Sequence, residues 1–239
     1  MNMTTERKPI IEGKVKTVYP GDNVDQVIIE YHDKVTAGNG EKKDNPIGKG
    51  SLCCSISSIL FEKLSKDNIP NHYIDMIGPN KMICRAVDIV PLEVICRNRA
   101  AGSIVRETTL TEGQPLPSPI VEFFLKDDTK NDPLLTTDRV CLMGYDPQPF
   151  IDMTLLINNT LRQMFYILGI DLVDFKVEYG YTPHGELLLA DEISPDSMRL
   201  WKIGTNERFD KDLFRKGEGD IVPAYRVILE KLRPLAISQ

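Results

Sequence analysis

The chain has 239 residues, 41% of them hydrophobic and 27% charged, which is enough to bury an apolar core without disulfides. Its net charge of −6 argues against general nucleic-acid binding or a membrane-surface role, since both need a basic excess. No apolar run approaches the ~18–20 residues of a membrane span, and the opening MNMTTERKP lacks the apolar core of a signal peptide.

Residues 10–19 and 26–32 alternate in hydropathy and predict two strands around Pro20-Gly21-Asp22-Asn23. A Gly- and Lys-rich loop follows from Lys34 to Gly50. Leu52, Cys53, Ile56, Ile59, Leu60 and Leu64 recur at three and four, which predicts a helix that Pro70 stops. Residues 72–77 and 81–87 predict two strands about Gly78-Pro79-Asn80, and PLEVICRNR predicts another that ends in Ala100-Ala101-Gly102-Ser103. Residues 112–119 and 126–149 read as long polar loops, and loops of that length are usually functional. A second helix is predicted over 147–168, with Phe150, Met153, Ile157, Leu161, Met164, Phe165 and Leu168 as its stripe. LVDFKVEYG, residues 172–180, is a strand that a turn through 181–185 connects to Leu187, Leu188 and Leu189. Two helices close the chain near 207–215 and 218–232. This order reads as α+β, in two lobes that meet near residues 85–88: a smaller β-rich lobe over 1–86 and a larger one over 87–239.

The five cysteines, Cys53, Cys54, Cys84, Cys96 and Cys141, form no C-x-x-C pair and each sits in an apolar segment. They read as reduced, buried thiols of a cytoplasmic protein. His32, His72 and His184 lie at no ligand spacing from them, which argues against zinc.

Several charged constellations stand out. In LVDFKVEYG, Val173, Phe175, Val177 and Tyr179 form one face, and Asp174, Lys176 and Glu178 the other. Same-face neighbours on a strand are ~6.6–6.8 Å apart, so two carboxylates can flank a hard cation. Lys176 between them can neutralise them or hold an anion. ADEISPD offers Asp191 and Glu192 on the returning strand. The hairpin register decides which of them faces Glu178, and the sequence leaves that open. A solvated face laced with ion pairs is the commoner use of such a pattern. GKVKTVY puts Lys14 and Lys16 on one face of a strand behind a glycine, suited to a polyphosphate or to edge protection. RNRAAGS sets Arg97 and Arg99 before a small-residue turn closed by Ser103, which suits a phosphate or carboxylate; pairing with Glu93 or Glu107 is the plainer alternative. SPDSMRLW offers Arg199 as a second anion grip, or as a local partner of Asp196. DKVTAGNGEKK and Lys126 of VEFFLKDD fit either a lid or a solvated charged surface.

Together these segments resemble the SAICAR synthetase family of purine biosynthesis, nearly end to end. GKVKTVY resembles its phosphate-binding strand, IVPLEVICRNRAAGS its first signature, LVDFKVEYG its second and DEISPDSMRLW its third. At Asn39 some members carry aspartate. The resemblance implies an ATP-grasp-like fold with ATP in a cleft between the lobes. It also implies an ATP-dependent ligase that joins carboxyaminoimidazole ribotide (CAIR) to L-aspartate, giving SAICAR, ADP and phosphate. Carried over residue by residue, Lys14 and Lys16 would grip phosphates, and Arg85, Ala86 and Val87 would meet adenine. Glu178 and Asp191 would hold Mg2+. Arg97, Ser103 and Arg199 would hold the ribotide, while Lys176 and Asp174, with Arg199, would act at the reacting groups. Asn39 and Lys126 would belong to a lid near aspartate. Family members are often dimers, so a homodimer is the assembly to test, with no nucleic-acid or membrane partner. Another ligase or kinase on the same scaffold, or a binding module without turnover, would use many of the same residues.

Overall fold

The computed structural model of the chain describes residues 7–38, 40–205 and 207–237. The first predicted strand is in fact two, β1 (Ile11–Glu12) and β2 (Lys16–Pro20), antiparallel to each other. The chain reverses at Gly13, whose N–H donates to the Lys16 carbonyl at 2.8 Å. Lys14 therefore sits on a turn, and Lys14 and Lys16 do not share one strand face as expected. β3 (Gln26–Tyr31) follows as predicted. The expected loop after it holds a small hairpin, β4 (Val35–Ala37) and β5 (Lys42–Asp44). α1 (Lys49–Lys66) buries the predicted stripe apart from the partly buried Ile59, and Asp33 accepts from the N–H groups of Gly48 and Gly50 at 2.9 and 2.8 Å, satisfying donors that a helix start leaves open. β6 (Tyr73–Gly78) and β7 (Lys81–Arg85) complete a five-stranded sheet of order β1-β2-β3-β7-β6.

The second sheet is built from β8 (Asp88–Ile89), β9 (Leu92–Arg99), β10 (Pro115–Leu125), β11 (Leu134–Leu135), β12 (Ile170–Tyr181), β13 (Leu187–Ala190) and β14 (Met198–Lys202). α2 (Ser103–Glu107) follows the small-residue turn, α3 (Thr137–Leu142) lies within the second expected loop, and α4 (Pro147–Ile167) matches the predicted helix. The loop expected at 112–119 is partly strand. Its prolines at 115, 117 and 119 give no N–H to a ladder, and the pairing of β10 with β9 breaks between Pro115 and Ile120. Near the C-terminus, α5 (Asp212–Lys216) is shorter than the helix expected at 207–215, and α6 (Ile221–Ile237) is longer than expected.

β12 organises this sheet. It pairs with β9 and β8 along one edge and with β14 and β13 along the other. Val173, Phe175, Val177 and Tyr179 are at most 1% exposed. Each such burial contributes roughly 1.5–3 kcal/mol. Tyr179 meets Phe150 of α4 with ring centroids 5.5 Å apart and shares a 2.6 Å hydrogen bond with Thr154. The two sheets meet where the His72 N–H donates to Leu189 of β13 at 2.9 Å and the Leu189 N–H to Pro70 at 3.1 Å. Just past β13, Asp191 meets Lys16 of β2 at 2.5 Å. Four cysteines are buried and reduced, but Cys141 on α3 is exposed, contrary to expectation. Among the described residues no helix is long and apolar enough to cross a membrane.

Candidate active site

The polar face of β12 is covered by charged partners from other strands, so it is not a solvated face. Asp174 and Glu178 are each only 3% exposed. Asp174 lies directly opposite Arg97 on β9 and opposite Arg199 on β14, and its Oδ2 accepts from both, at 2.9 and 2.7 Å. Lys176 donates to Glu93 at 2.7 Å and to Glu178 at 2.9 Å. Lys126 donates to the other oxygen of Glu178. Burial alone would lower the Lys176 ammonium, but Glu178, Glu93 and Asp191 hold it well above its ordinary value.

The hairpin register pairs Glu178 with Ala190. Regular alternation would then turn Asp191 away from Glu178. Asp191 instead adopts φ 61°, a left-handed conformation that breaks the alternation, and both acids line one cleft. Lys16 bridges Asp191 at 2.5 Å and Glu192 at 3.0 Å. Burial would raise the Asp191 carboxyl, but Lys16 and Lys176 hold it below the usual carboxylate range. The same carboxylates hold the buried Lys16 ammonium above its ordinary value, against the effect of burial.

This cleft measures about 730 Å³. Lys14, Lys16, Lys126, Lys176, Glu178 and Asp191 supply its charged walls, and Val18, Val27 and Ile29 of the first sheet supply an apolar one. Lys14 stands at the rim, paired with Asp128 at 2.6 Å. Arg85, Ala86 and Val87 also line it. The N–H groups of Arg85 and Ala86 are taken by the carbonyls of His72 and Asp25 at 2.7 and 2.8 Å, while that of Val87 has no main-chain partner among the described residues.

A second cavity of about 300 Å³ adjoins it, lined by Arg97, Ser103, Asp174 and Arg199, with Glu93, Lys176, Asp196, Ser197 and Lys211 common to both. Arg97 is 2% exposed. It donates to Glu122 at 2.5 Å, to Ser103 Oγ at 2.8 Å and to the Ala101 carbonyl at 3.0 Å. Its carboxylate partners are thus Glu122 and Asp174, and neither Glu93 nor Glu107 pairs with it. Arg199 also donates to Asp212 at 2.8 Å. Burial would lower its guanidinium, but Asp174 and Asp212 hold it above its ordinary value. Asp196 is not its local partner, because Lys49 meets Asp196 at 2.5 Å and the Tyr225 hydroxyl donates to it at 2.7 Å.

Asn39 lies outside the described residues. Of the hairpin that flanks it, Thr36 lines the larger cleft and Lys42 donates to the Phe214 carbonyl. Sequence reasoning missed Lys211, Asp212 and Arg215, which face the second cavity or hold Arg199 there. The signal available was the D-K-D run of FDKDLFRK, close behind the third signature.

Two donor sets bear on a cation. Cys53, Glu192 and Asp196 place donor atoms within 4.8 Å of one another. Lys49 already occupies that cluster, and burial keeps the Cys53 thiol protonated, well above its ordinary value. Glu178 and Asp191 are also lysine-paired, but both are carboxylates on the larger cleft, the donor type that magnesium takes together with phosphate oxygens.

The SAICAR synthetase family profile matches residues 9–232. The chain belongs to the SAICAR synthetase family. A phosphoribosylaminoimidazole-succinocarboxamide synthase of Prochlorococcus marinus subsp. pastoris is 46% identical over 238 residues, covering 96% of this chain and 98% of that one. A protein of the same name from Methanocaldococcus jannaschii is 45% identical over 231 residues, covering 95% of each chain. A solved SAICAR synthetase in complex with ADP matches with a TM-score of 0.90 at 39% identity, covering 93% of this chain and 96% of that one. The α+β fold expected from the signatures is the fold of a SAICAR synthetase, and ATP-dependent ligation in purine biosynthesis is the activity that membership carries.

Proposed function

We propose that this SAICAR synthetase joins the carboxylate of CAIR to the amine of L-aspartate through an acyl phosphate, with the triphosphate in the larger cleft and the ribotide in the smaller one. The observation that carries this reading is the shared wall. Lys176 borders both cavities, so a γ-phosphate in one can meet a carboxylate in the other.

An amine does not displace oxide from a carboxylate, but it does displace phosphate. The carboxylate oxygen attacks the γ-phosphorus, the bond to the βγ-bridging oxygen breaks, and ADP leaves. The amine nitrogen then attacks the acyl carbon, the carbon–oxygen bond to phosphate breaks, and the nitrogen gives up a proton as the amide forms. The side chains position and neutralise, and no enzyme nucleophile is needed. Val87, with Arg85 and Ala86, meets adenine through the main chain. Lys14 and Lys16 hold phosphates. Glu178 and Asp191 would hold Mg2+, which would offset the charge of the phosphates. Lys16, Lys126 and Lys176 pair with carboxylates in the protein alone, and phosphate oxygens offer these ammonium groups replacement partners.

Arg97, Ser103 and Arg199 hold the ribotide. Asp174 orients the two guanidinium groups from between them, and Lys176 touches the transferring phosphate. Lys126 and Asn39 would contact aspartate. In this division residues 1–86 serve the nucleotide, and residues 87–239 serve the metal and the ribotide. Free buried thiols fit a reaction in the cytoplasm.

A phosphate-release assay with each component omitted in turn tests the reading. Release should require MgATP, CAIR and aspartate together. Full turnover with an unrelated carboxylate in place of CAIR, or saturable binding with no phosphate released, would overturn it.

A further inference from the structure

Two cationic side chains, Lys176 and Lys211, border both cavities. Lys176 is neutralised by Glu93 and Glu178. Lys211 has no hydrogen bond from its ammonium and no carboxylate within 4.0 Å among the described residues. The two carboxylates whose charge reaches it are already held by other groups. Asp196 has Lys49 at 2.5 Å and Tyr225 at 2.7 Å; Glu192 has Lys16 at 3.0 Å and the Ser194 hydroxyl at 2.7 Å. Arg215 and Lys49 add further positive charge nearby. Lys211 is partly buried, and an ammonium partly withdrawn from water without a partner carries a cost that a ligand's anion offsets. Burial accordingly lowers the Lys211 ammonium from its ordinary value.

The structural work of this residue is done by its main chain. Its N–H donates to the Pro195 carbonyl at 3.2 Å, and its carbonyl accepts from Phe214 and Arg215 at 3.1 and 3.0 Å. The side chain is left for the cavities. At their junction two anions must approach each other, the acceptor carboxylate and the γ-phosphate, and their repulsion opposes transfer.

We propose that Lys211 is a further substrate-binding residue, which grips the acceptor carboxylate of the ribotide where the two cavities meet. The inference rests on the reading of the smaller cavity as the ribotide site, and the test separates the two. Binding of CAIR and of its 4-carboxamide analogue, in which the same group is neutral, is measured for the wild type, Lys211→Met and Lys211→Gln. Trp201 can report binding, since it is the only tryptophan and lies two residues from Arg199 on β14. Both variants should bind CAIR about 10- to 100-fold more weakly than the wild type, the usual worth of a charged hydrogen bond. Both variants should weaken carboxamide binding clearly less than CAIR binding, because the ammonium can donate to the amide oxygen but only the carboxylate adds an ion pair. Unchanged CAIR binding, or equal weakening of both ligands, overturns the role of Lys211 and leaves the cavity reading standing. A wild type that binds neither ligand overturns both.

Discussion

Asp174 and Arg199 are direct cross-strand partners on β12 and β14, and Arg97 reaches the same carboxylate oxygen from the opposite strand. One buried acid thus fixes two guanidinium groups. Asp174→Asn removes the charge between them while keeping the shape. Breaking a buried pair on one side typically costs 3–5 kcal/mol. Arg97 and Arg199 each retain a second carboxylate, Glu122 and Asp212, so the loss should fall at the lower end, about 3 kcal/mol. Urea unfolding measures it, and a midpoint equal to that of the wild type would refute the clamp.

Glu178 accepts from Lys126 and Lys176 on one side of the larger cleft. Glu178→Gln keeps its size and removes the charge a cation would need. Lys176 keeps Glu93, and Lys126 is half-exposed, so neither ammonium is stranded. Phosphate release should fall about 100-fold or more, with the melting temperature nearly unchanged. Turnover close to the wild-type rate would remove Glu178 from the reaction.

The core face of β12 was legible because alternation of Val173, Phe175, Val177 and Tyr179 leaves no other way to bury four apolar side chains. Its polar face was legible for the same reason, but not its partners. Arg97 and Asp174 stand 77 residues apart, and no local pattern records a contact of that range. The position of Asp191 turns on one backbone angle, and an aspartate tolerates the left-handed region without announcing it. The start of β10 was hidden by its prolines, which read as a loop wherever they stand. Lys14 was misplaced because Gly13 reverses the chain inside a run that alternates like a strand.

Asp212 is 3% exposed and holds both Arg199 and Arg215. Burial alone would raise its carboxyl from 3.8, but the two guanidinium groups pull it down to about 2. An acid whose folded-state value lies below its unfolded one adds stability above the unfolded value, and that stability is lost as pH falls through the folded one. The shift corresponds to about 2 kcal/mol. Asp212→Asn should therefore be less stable than the wild type by about that amount above pH ~4, with the gap closing towards pH ~2. A gap that stays constant from pH 6 to pH 2 would show that the charge of Asp212 contributes nothing.

Burial pushes the thiols of Cys54 and Cys96 up to about 12, and those of Cys53 and Cys84 are raised as well. Cys141 alone is exposed among the five. A bulky maleimide should add once per native chain, not at all to Cys141→Ser, and at every cysteine in denaturant. Mass spectrometry counts the additions. Rapid labelling of a second cysteine in the native protein would contradict the packing around α1 and β9.

Gly102 explains why the turn after Arg97 is made of small residues. It adopts φ 69°, and a Cβ there would lie 2.7 Å from Arg199 Nη2 and 2.9 Å from Nη1. That guanidinium cannot swing aside freely, because Asp174 and Asp212 hold it at 2.7 and 2.8 Å. Gly102→Ala therefore meets two costs, a left-handed backbone and a displaced arginine. The backbone strain alone should lower stability by roughly 1–3 kcal/mol. The displaced arginine should raise KM for the ribotide about 10-fold or more, while KM for ATP stays near the wild-type value. Steady-state kinetics with each substrate varied in turn separates these effects. An equal rise in both constants would mean that Gly102 shapes the whole cleft, and that its contact with Arg199 has no special part in holding the ribotide.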